Sequence, residues 1–378
     1  MTSGTRRIAV IEEGVWTPTI TFATPGDLSV TYSEQLGKYI RIGNLVFFSG
    51  TAGYCWPAPA GADNLLAVYQ DGGSSSWGAA LLLDVSTITL TRIGPTQFEA
   101  DDADNLVAVA LDETHVLCCY GDAGNSNRLT ATCLSIVDGV VTVGTPLQVA
   151  AAAVNGQSNP VALAALSATT ALVAYRDGSA AGIGMVAVLT ISGTTVSAGT
   201  PVQFHGTEVQ WLALSRHTNF LAVVYFRDEA VDDDAKMYPV TIAASAPTVP
   251  VVGAAVTVFA GDSTGIQAAG FSATAGLAVL LKQGANYDLV AFPIEISSNV
   301  PAPGTALVIE ASAQAAPSLV PIQGEQRALL AWQTGSAGNR VRGAVLWTDG
   351  DTAGKGEAVD VSEAPASYPR ATAFDDEF

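Results

Sequence analysis

Positive charge is scarce in this chain. Lys and Arg together account for 16 of 378 residues, against 35 Asp and Glu, so the formal net charge is -19. No basic cluster is larger than Arg6-Arg7. Nucleic acids and anionic membrane surfaces are bound through clustered Lys and Arg. The composition therefore argues against nucleic-acid binding and against attachment to an anionic membrane surface.

Long apolar runs are also absent. Arg6 and Arg7 are followed by only Ile8–Ile11 before two glutamates, which is too short for the apolar core of a secretory signal. The uncharged stretch 160–175 carries Ser167, Thr169 and Thr170 at its middle. We predict two strands and a turn there rather than a membrane helix, and hence no membrane insertion.

Cysteine is rare, and its spacing matches no zinc pattern. The four cysteines are Cys55, Cys118, Cys119 and Cys133. Cys118 and Cys119 are neighbours, so on a strand they point to opposite faces. Cys133 lies on the next predicted strand and could approach one of them. We predict buried free thiols, with a disulfide from Cys133 to Cys118 or Cys119 as the alternative.

The sequence offers no catalytic constellation. None of the three histidines (His115, His205 and His217) has a Ser, a Cys or a paired acid at motif spacing, so we predict surface or turn histidines. The acidic run 228–234 could bind Ca²⁺, but it lacks the EF-hand pattern and is predicted to be a solvated loop. We predict no catalytic residues, no cofactor and no bound metal.

What the chain has in abundance is a repeat. Hydrophobic residues make up 49% of it, with 37 Gly and 18 Pro, which excludes a disordered protein. Each copy begins with an apolar segment whose last residue, aromatic or apolar, is the first marker, and in some copies Asp-Gly lies shortly after it. A glycine later in the copy is the second marker, and in some copies it precedes Thr-Pro. The first marker recurs every 50 to 56 residues, at Tyr69, Tyr120, Tyr175, Tyr225, Leu281 and Trp332. The second marker recurs at Gly94, Gly144, Gly199, Gly253, Gly304 and Gly356.

Each repeat divides into four strand-like runs. In the copy at 159–206 the runs are 161–167, 171–175, 185–191 and 195–204, separated by turns rich in Gly, Asp, Ser and Thr. Four short antiparallel strands per repeat of about fifty residues are typical of β-propeller blades. The sequence therefore predicts an all-β protein containing a β-propeller.

The two chain ends suggest how the ring closes. The first repeat, starting near Asn64, has no obvious first strand, because 56–59 reads Trp-Pro-Ala-Pro. The C-terminal segment 367–374 resembles the first strand at 158–165. We predict a six-bladed propeller over 61–378, in which the C-terminal strand completes the first blade and hides two free edges.

Residues 1–60 do not fit the repeat and are predicted to form a small all-β module for attachment or oligomerisation. Short strands are predicted at 15–22, 28–32, 39–42 and 45–49. Gly14-Val15-Trp16-Thr17-Pro18 and the segment Gly37-Lys38-Tyr39-Ile40-Arg41-Ile42-Gly43-Asn44-Leu45-Val46 resemble the N-terminal module of bacteriophage tail-fibre and related virion proteins. The resemblance spans about 36 residues and stops after Ser49. It implies a structural component of a virion, often trimeric and often in contact with the host, with other virion proteins as partners.

The acidic residue near the first marker is predicted to be a turn residue. Asp71, Asp122 and Asp177 share one offset, and Asp228 follows one residue later. An enzyme does not repeat one catalytic acid four times, whereas an Asp side chain caps turns by bonding to the backbone.

Ligand binding is instead predicted on the variable loops that follow the second strand of each repeat. Aromatic, amide and guanidinium groups in or beside these loops are the candidate contacts for a host-surface glycan or receptor: Trp77, Asn125, Arg176, Arg227, Tyr287 and Asn339. We expect a non-enzymatic structural or adhesion protein of a phage virion that forms a homo-oligomer. The alternatives are a secreted lectin-like or carbohydrate-active propeller and an interaction scaffold inside a bacterium.

Overall fold

The computed structural model describes residues 12–16, 37–42, 45–49, 55–59, 64–71, 76–84, 91–154, 159–244, 246–284, 287–313, 317–322, 324–335, 340–360 and 370–373. These residues form β-strands joined by turns, with two short 3-10 helices at Ala123–Asn125 and Gly178–Ala180. The described part of the chain contains no helix long and apolar enough to cross a membrane.

The strands form one terminal sheet and six repeat sheets, all antiparallel. The N-terminal strands are β1 (Glu12–Trp16), β2 (Gly37–Ile42) and β3 (Leu45–Ser49). Repeat sheet 1 contains β4 (Cys55–Pro59), β5 (Asn64–Asp71), β6 (Trp77–Asp84) and the first half of β7 (Thr91–Ala110). Repeat sheet 2 contains the second half of β7, β8 (His115–Asp122), β9 (Arg128–Val137), β10 (Val140–Val143) and β11 (Leu147–Ala153).

The next two repeat sheets follow the same order. Repeat sheet 3 contains β12 (Val161–Ser167), β13 (Thr170–Asp177), β14 (Ile183–Ser192), β15 (Thr195–Ala198) and the first part of β16 (Val202–Thr218). Repeat sheet 4 contains the rest of β16, β17 (Leu221–Asp228), β18 (Asp234–Ala243), β19 (Ala246–Val252) and β20 (Val256–Phe259).

The last two repeat sheets again have five strands each. Repeat sheet 5 contains β21 (Ser263–Gly270), β22 (Ala275–Lys282), β23 (Asp288–Ser297), β24 (Val300–Pro303) and β25 (Leu307–Glu310). Repeat sheet 6 contains β26 (Ser318–Ile322), β27 (Arg327–Gln333), β28 (Val341–Asp349), β29 (Thr352–Lys355) and β30 (Val359–Asp360). The final strand, β31 (Arg370–Ala373), pairs with β3 and completes the terminal sheet, whose order is β1-β2-β3-β31.

The predicted all-β architecture of repeated antiparallel meanders is confirmed. Second strands read as uninterrupted apolar runs because both of their faces are covered. In β17, for example, all six residues from Leu221 to Phe226 are buried. Five apolar cores lie between successive sheets: 1 and 2, 2 and 3, 3 and 4, 4 and 5, and 5 and 6. Each sheet from 2 to 5 thus contributes side chains to two cores.

The first strands of consecutive sheets lie next to one another. β4 contacts β7, β7 contacts β12, β12 contacts β16, β16 contacts β21, and β21 contacts β26. At the end of the series, β31 contacts both β26 and β4. The terminal sheet therefore lies between repeat sheets 6 and 1.

The prediction that the C-terminal strand completes the first repeat sheet is wrong. β5 pairs with β4, and β31 pairs with β3 instead. Pro57 and Pro59 made β4 a poor candidate from sequence. β4 pairs on one side only, and an edge strand tolerates proline because its outward positions need no N–H donor. β4 precedes the boundary predicted at 60/61 and pairs with the first strand after it.

The short strands predicted near the N-terminus are found where the structure describes them. The predictions at 39–42 and 45–49 are confirmed by β2 and β3. The strand predicted at 15–22 overlaps β1 at residues 15 and 16, and its remaining residues lie outside the described part. The strand predicted at 28–32 also lies outside it.

The fourth strand of the repeats differs from the prediction, and the repeated glycine explains why. We predicted one continuous strand, but in repeat sheets 2 to 6 two short strands share this position, with the glycine between them. Its N–H donates to a third-strand carbonyl: Gly144 to Cys133 at 2.9 Å, Gly199 to Val188 at 2.8 Å, and so on through Gly253, Gly304 and Gly356. This bond bends the strand and restarts its pairing.

The same glycine is a point of close approach between sheets. A Cβ atom on Gly144, Gly199 or Gly304 would overlap a carbonyl oxygen of the next sheet's hairpin, at Thr194, Thr248 or Asp351 respectively. Glycine is required here by the neighbouring backbone, which cannot move without separating two packed sheets.

Gly199→Ala tests this contact. We expect a loss of about 1 to 3 kcal/mol in the free energy of unfolding, because the new methyl group must push the Thr248 backbone away. Gly94→Ala is the matched control: it changes the same marker in repeat 1, where an added Cβ meets no atom within 4 Å. Chemical denaturation of both variants measures the difference, and equal stability of the two would contradict the close-approach argument.

Truncation at the C-terminus tests the role of β31. Removing all residues after Glu363 deletes β31 and exposes the edge of β3 and the flanks of β26 and β4. We expect the melting temperature to fall by about 3 °C or more, since an unfolding entropy of about 2 cal/mol/K per residue makes each lost kcal/mol shift Tm by about 1 °C in this chain. A truncation after Ala373, which leaves β31 intact, is the control; equal melting temperatures for the two would show that β31 adds nothing.

Candidate binding surface

Three of the four repeated aspartates are turn residues, as predicted. Asp122, Asp177 and Asp228 each accept a backbone N–H two or three residues ahead. Asp122 accepts from Asn125 at 3.1 Å, Asp177 from Ser179 at 2.9 Å, and Asp228 from Ala230 at 3.1 Å. These bonds shape the turn between second and third strands, and they account for the recurrence without catalysis.

The residue just before this aspartate contacts the segment that leads from its own sheet into the next. Arg176 Nη2 lies 2.6 Å from Glu208 Oε1, and Gln70 donates to Asp102. Arg227 Nη1 lies 3.8 Å from Asp262 Oδ1. The acidic partner precedes or begins the first strand of the following sheet in each case. This contact, or clasp, was not recognised from sequence, because partners about 32 residues apart show no local pattern.

Three of the six predicted ligand-binding residues are therefore already engaged within the protein. Arg176 and Arg227 take part in clasps, and Arg227 also donates to Glu229 at 2.6 Å and to Gln210 at 3.1 Å. Asn125 donates to Gln148 at 3.2 Å. Their role in binding stays a prediction, but a ligand must compete with these internal partners.

Two predicted aromatic residues are open to solvent. Trp77 is 36% exposed, and Tyr287 is 40% exposed. Both lie between the second and third strands of their sheets, at the start of β6 and just before β23. The sixth predicted residue, Asn339, lies outside the described residues. Of the five described, these two rings are the groups most accessible to a ligand.

Three residues of the acidic run 228–234 lie beside cationic side chains: Asp228 beside Lys236, and Glu229 and Asp233 beside Arg227. Asp228, 1% exposed, accepts from Lys236 at 2.6 Å and from Thr207 at 3.0 Å, and it lies 3.2 Å from His205. Burial alone would raise the pKa of Asp228, but the bonds from Lys236, Ala230 and His205 lower it below its usual range. Its ionised carboxylate is thus a fixed part of the loop.

A second acidic group brings together side chains distant in sequence. Carboxylate oxygens of Glu99, Asp101 and Asp122 lie within 4.8 Å of one another. Burial and the charge of Glu99 raise the pKa of Asp122. Tyr120 donates to Glu99 at 2.9 Å, which satisfies part of the group. These oxygens are of the type that hard cations take, but exposed acidic groups are common without an ion.

The described cysteines are buried free thiols, as predicted. Cys118, Cys119 and Cys133 form no disulfide. Burial raises the pKa of each thiol, that of Cys133 to about 12. Because the thiolate is the reactive form, none of the three is a nucleophile at neutral pH.

The prediction of a surface or turn histidine is wrong for His217, which is buried within β16 in an arrangement that sequence reasoning missed. His217 Nδ1 donates to the Ser272 carbonyl at 2.8 Å, and Ser215 Oγ donates to His217 Nε2 at 2.9 Å. These contacts resemble a nucleophile activated by an oriented base. However, Ser215 is 2% and His217 7% exposed, so a substrate cannot reach them. The pair joins sheets 4 and 5, because Ser272 belongs to repeat 5.

Comparison with known proteins identifies the fold and no more. No protein-family model matches the chain, and no curated protein matches it. A candidate 6-phosphogluconolactonase from Bacteroides fragilis superposes with a TM-score of 0.58 at 9% identity, over 93% of this chain and 96% of its own. A second, from Bacteroides uniformis, gives 0.55 at 12% identity, over 90% and 95%. A Lactobacillus plantarum protein gives 0.55 at 12%, over 90% and 96%. The chain therefore has a β-propeller-like all-β fold.

His217 should make stability depend on pH. Burial lowers its pKa, so the folded state prefers the neutral imidazole while the unfolded chain, with a pKa of about 6.5, binds the proton more tightly. The stabilisation by neutral His217 is complete above about pH 7 and is lost as pH falls through the folded-state pKa. We expect the stability difference between wild type and His217→Gln to shrink between pH 7 and pH 5.

Urea denaturation at several pH values measures this difference. His115→Gln is the control for removing one imidazole, because His115 is only partly buried and lies beside Asp112 in a turn. A stability difference for His217→Gln that stays constant across this pH range would contradict the burial argument.

Proposed function

We propose that this protein is a non-enzymatic structural or adhesion component of a phage particle, and that its propeller presents loops for binding a host-surface glycan or receptor. The proposal rests on a contrast between two kinds of side chain in and beside these loops. Charged side chains are held in clasps and turns, whereas Trp77 and Tyr287 remain open to solvent. A rigid frame with exposed rings suits recognition of a surface.

We also infer that the seven sheets close a ring in which the terminal sheet is the seventh blade. Support comes from the contacts of β31 with β26 on one side and β4 on the other. A closed ring hides the sheet flanks that a linear array would leave exposed. The sequence suggested six blades because the N-terminal strands carry neither repeat marker.

The N-terminal segment carries the assignment to a virion. Its similarity to tail-fibre modules lies in residues 14–18 and 37–46, which include parts of all three N-terminal strands. On this proposal the segment attaches the ring to other virion proteins and to copies of itself, with a trimer as the expected oligomer. The protein would then be located on the particle.

Two alternatives of another class remain. One is a secreted lectin-like or carbohydrate-active propeller. The other follows from the names of the two Bacteroides structures: 6-phosphogluconolactonase activity would require cationic side chains free to bind a phosphate group. At the strand ends beside the loops, Arg176, Arg227, Lys236 and Arg342 are each paired with a carboxylate, which favours the non-enzymatic proposal. Arg128 instead contacts Asn125 and Gln148, and Lys282 lies over the Phe259 ring.

Particle association and catalysis can be tested on the same protein. An antibody against the chain should label purified particles, and the isolated protein should turn over neither 6-phosphogluconolactone nor a panel of glycans. Absence from particles together with hydrolysis that is lost on changing a ring carboxylate would overturn the proposal in favour of an enzyme.

A further inference from the structure

A groove on repeat sheet 6 lies at the opposite end of the strands from the predicted binding loops. It has a volume of about 600 Å³, and it is lined by Glu325, Gln326, Arg327, Val345, Trp347 and Thr348. Glu325 and Gln326 belong to the turn between β26 and β27, and Trp347 lies near the end of β28. The marker Gly356 borders the groove through its bond to the Val345 carbonyl.

Trp347 occupies a position where the fold does not call for an aromatic residue. In repeat sheets 2 to 6 the marker glycine donates its N–H to a third-strand carbonyl, and these bonds show which third-strand positions are equivalent. In repeat sheet 6 the acceptor is Val345, and Trp347 lies two residues after it. The equivalent residues in repeat sheets 2 to 5 are Ser135, Thr190, Thr241 and Glu295. Trp347 is 39% exposed. A large ring at a position that is otherwise polar indicates a local role rather than a contribution to the core.

The indole ring is laid across the neighbouring strand. Trp347 is the cross-strand partner of Gly354, and a Cβ atom there would overlap Cε2, Nε1 and Cζ2 of the ring. The absence of a side chain at Gly354 lets the ring pack against the sheet. Since the residue is still 39% exposed, its other face is available to a ligand.

The rim of the groove is polar and balanced in charge. Arg327 Nη1 lies 3.2 Å from Glu325 Oε2, and the two side chains are 57% and 50% exposed. Gln326 lies between them in sequence and adds an amide to the lining. A carboxylate, an amide and a guanidinium offer both donors and acceptors, which suits a neutral ligand rich in hydroxyl groups. The chain's charge of -19 disfavours an anionic one.

We propose that this groove binds a neutral pyranose of a surface glycan, with the apolar face of the sugar stacked on Trp347 and its hydroxyl groups bonded to Glu325, Gln326 and Arg327. The inference rests on the proposed function, which it deepens by naming the ligand class. The groove is a second contact site for the glycan, at the end of the strands opposite Trp77 and Tyr287.

Two tryptophan variants separate this groove from the predicted loops. Trp347→Ala and Trp77→Ala remove rings of similar exposure, 39% and 36%, from opposite ends of their strands. The full chain and its variants are screened on a glycan array, and affinities for the neutral glycans bound by wild type are measured by calorimetry. We expect Trp347→Ala to weaken binding at least tenfold; Phe220→Ala, which removes a ring that is 49% exposed in the turn between β16 and β17, is the control and should change binding less than twofold.

Further measurements separate a binding role from a folding defect. Trp347→Phe keeps a stacking surface and should retain most of the affinity, and melting curves verify that each variant is folded. If Trp77→Ala loses binding and Trp347→Ala does not, the groove is the wrong site while the adhesion function stands. If wild type labels particles but binds no neutral glycan, the saccharide inference fails alone; absence from particles is what counts against the proposed function.

Discussion

Face-to-face packing of successive sheets is the interaction on which the rest of the structure depends. A single meander has two apolar faces and cannot shield either by itself, so each sheet needs a neighbour on both sides. Side chains such as Val224 of sheet 4 and Leu172 of sheet 3 share one core, while Val223 of the same strand faces sheet 5. Alternation along one strand thus contributes to two different cores, which is why second strands are apolar throughout.

This packing supports the closure of the series that we infer at its ends. A linear series would leave the outer faces of sheets 1 and 6 in water, and at roughly 25 cal/mol per Å² of apolar surface this exposure would be costly. The terminal sheet lies where it can cover both. Near the loops, polar contacts hold the segments that connect successive sheets, as in Arg227 with Asp262. The backbone frame is therefore fixed independently of the surface residues that vary among repeats.

The sequence predicted those parts of the fold that depend on residues close together in the chain. Strand alternation, Asp-Gly turns and the fifty-residue period identified the repeat sheets and the structural role of Asp122 and Asp177. The partner of β31 could not be predicted, because Pro57 and Pro59 hide a strand that is tolerated only at an edge. The bend at Gly199 was also hidden, since the atom that requires glycine there, the Thr248 carbonyl oxygen, belongs to the next repeat.

The same distinction holds for the candidate site residues: local signals were recognised, and contacts with distant partners were not. Trp77 and Tyr287 were found from sequence because exposed aromatic residues in variable loops are a local signal. The engagement of Arg176, Arg227 and Asn125 was not, because each partner comes from another strand. Trp347 was missed because it stands out only once the registers of the third strands are compared. Arg327 and Trp347, which face each other across β27 and β28, are 20 residues apart in the chain.

The central claim is that β31 seals the series of sheets by pairing with β3. Disulfide trapping measures this pairing directly, because Val46 and Thr372 are opposite each other in the register of these strands. In the double variant Val46→Cys, Thr372→Cys, oxidation should give a crosslink between the two introduced cysteines, identified by mass spectrometry of peptides. A crosslink that forms instead in the double variant Val68→Cys, Thr372→Cys, which places the partner on β5, would contradict the account.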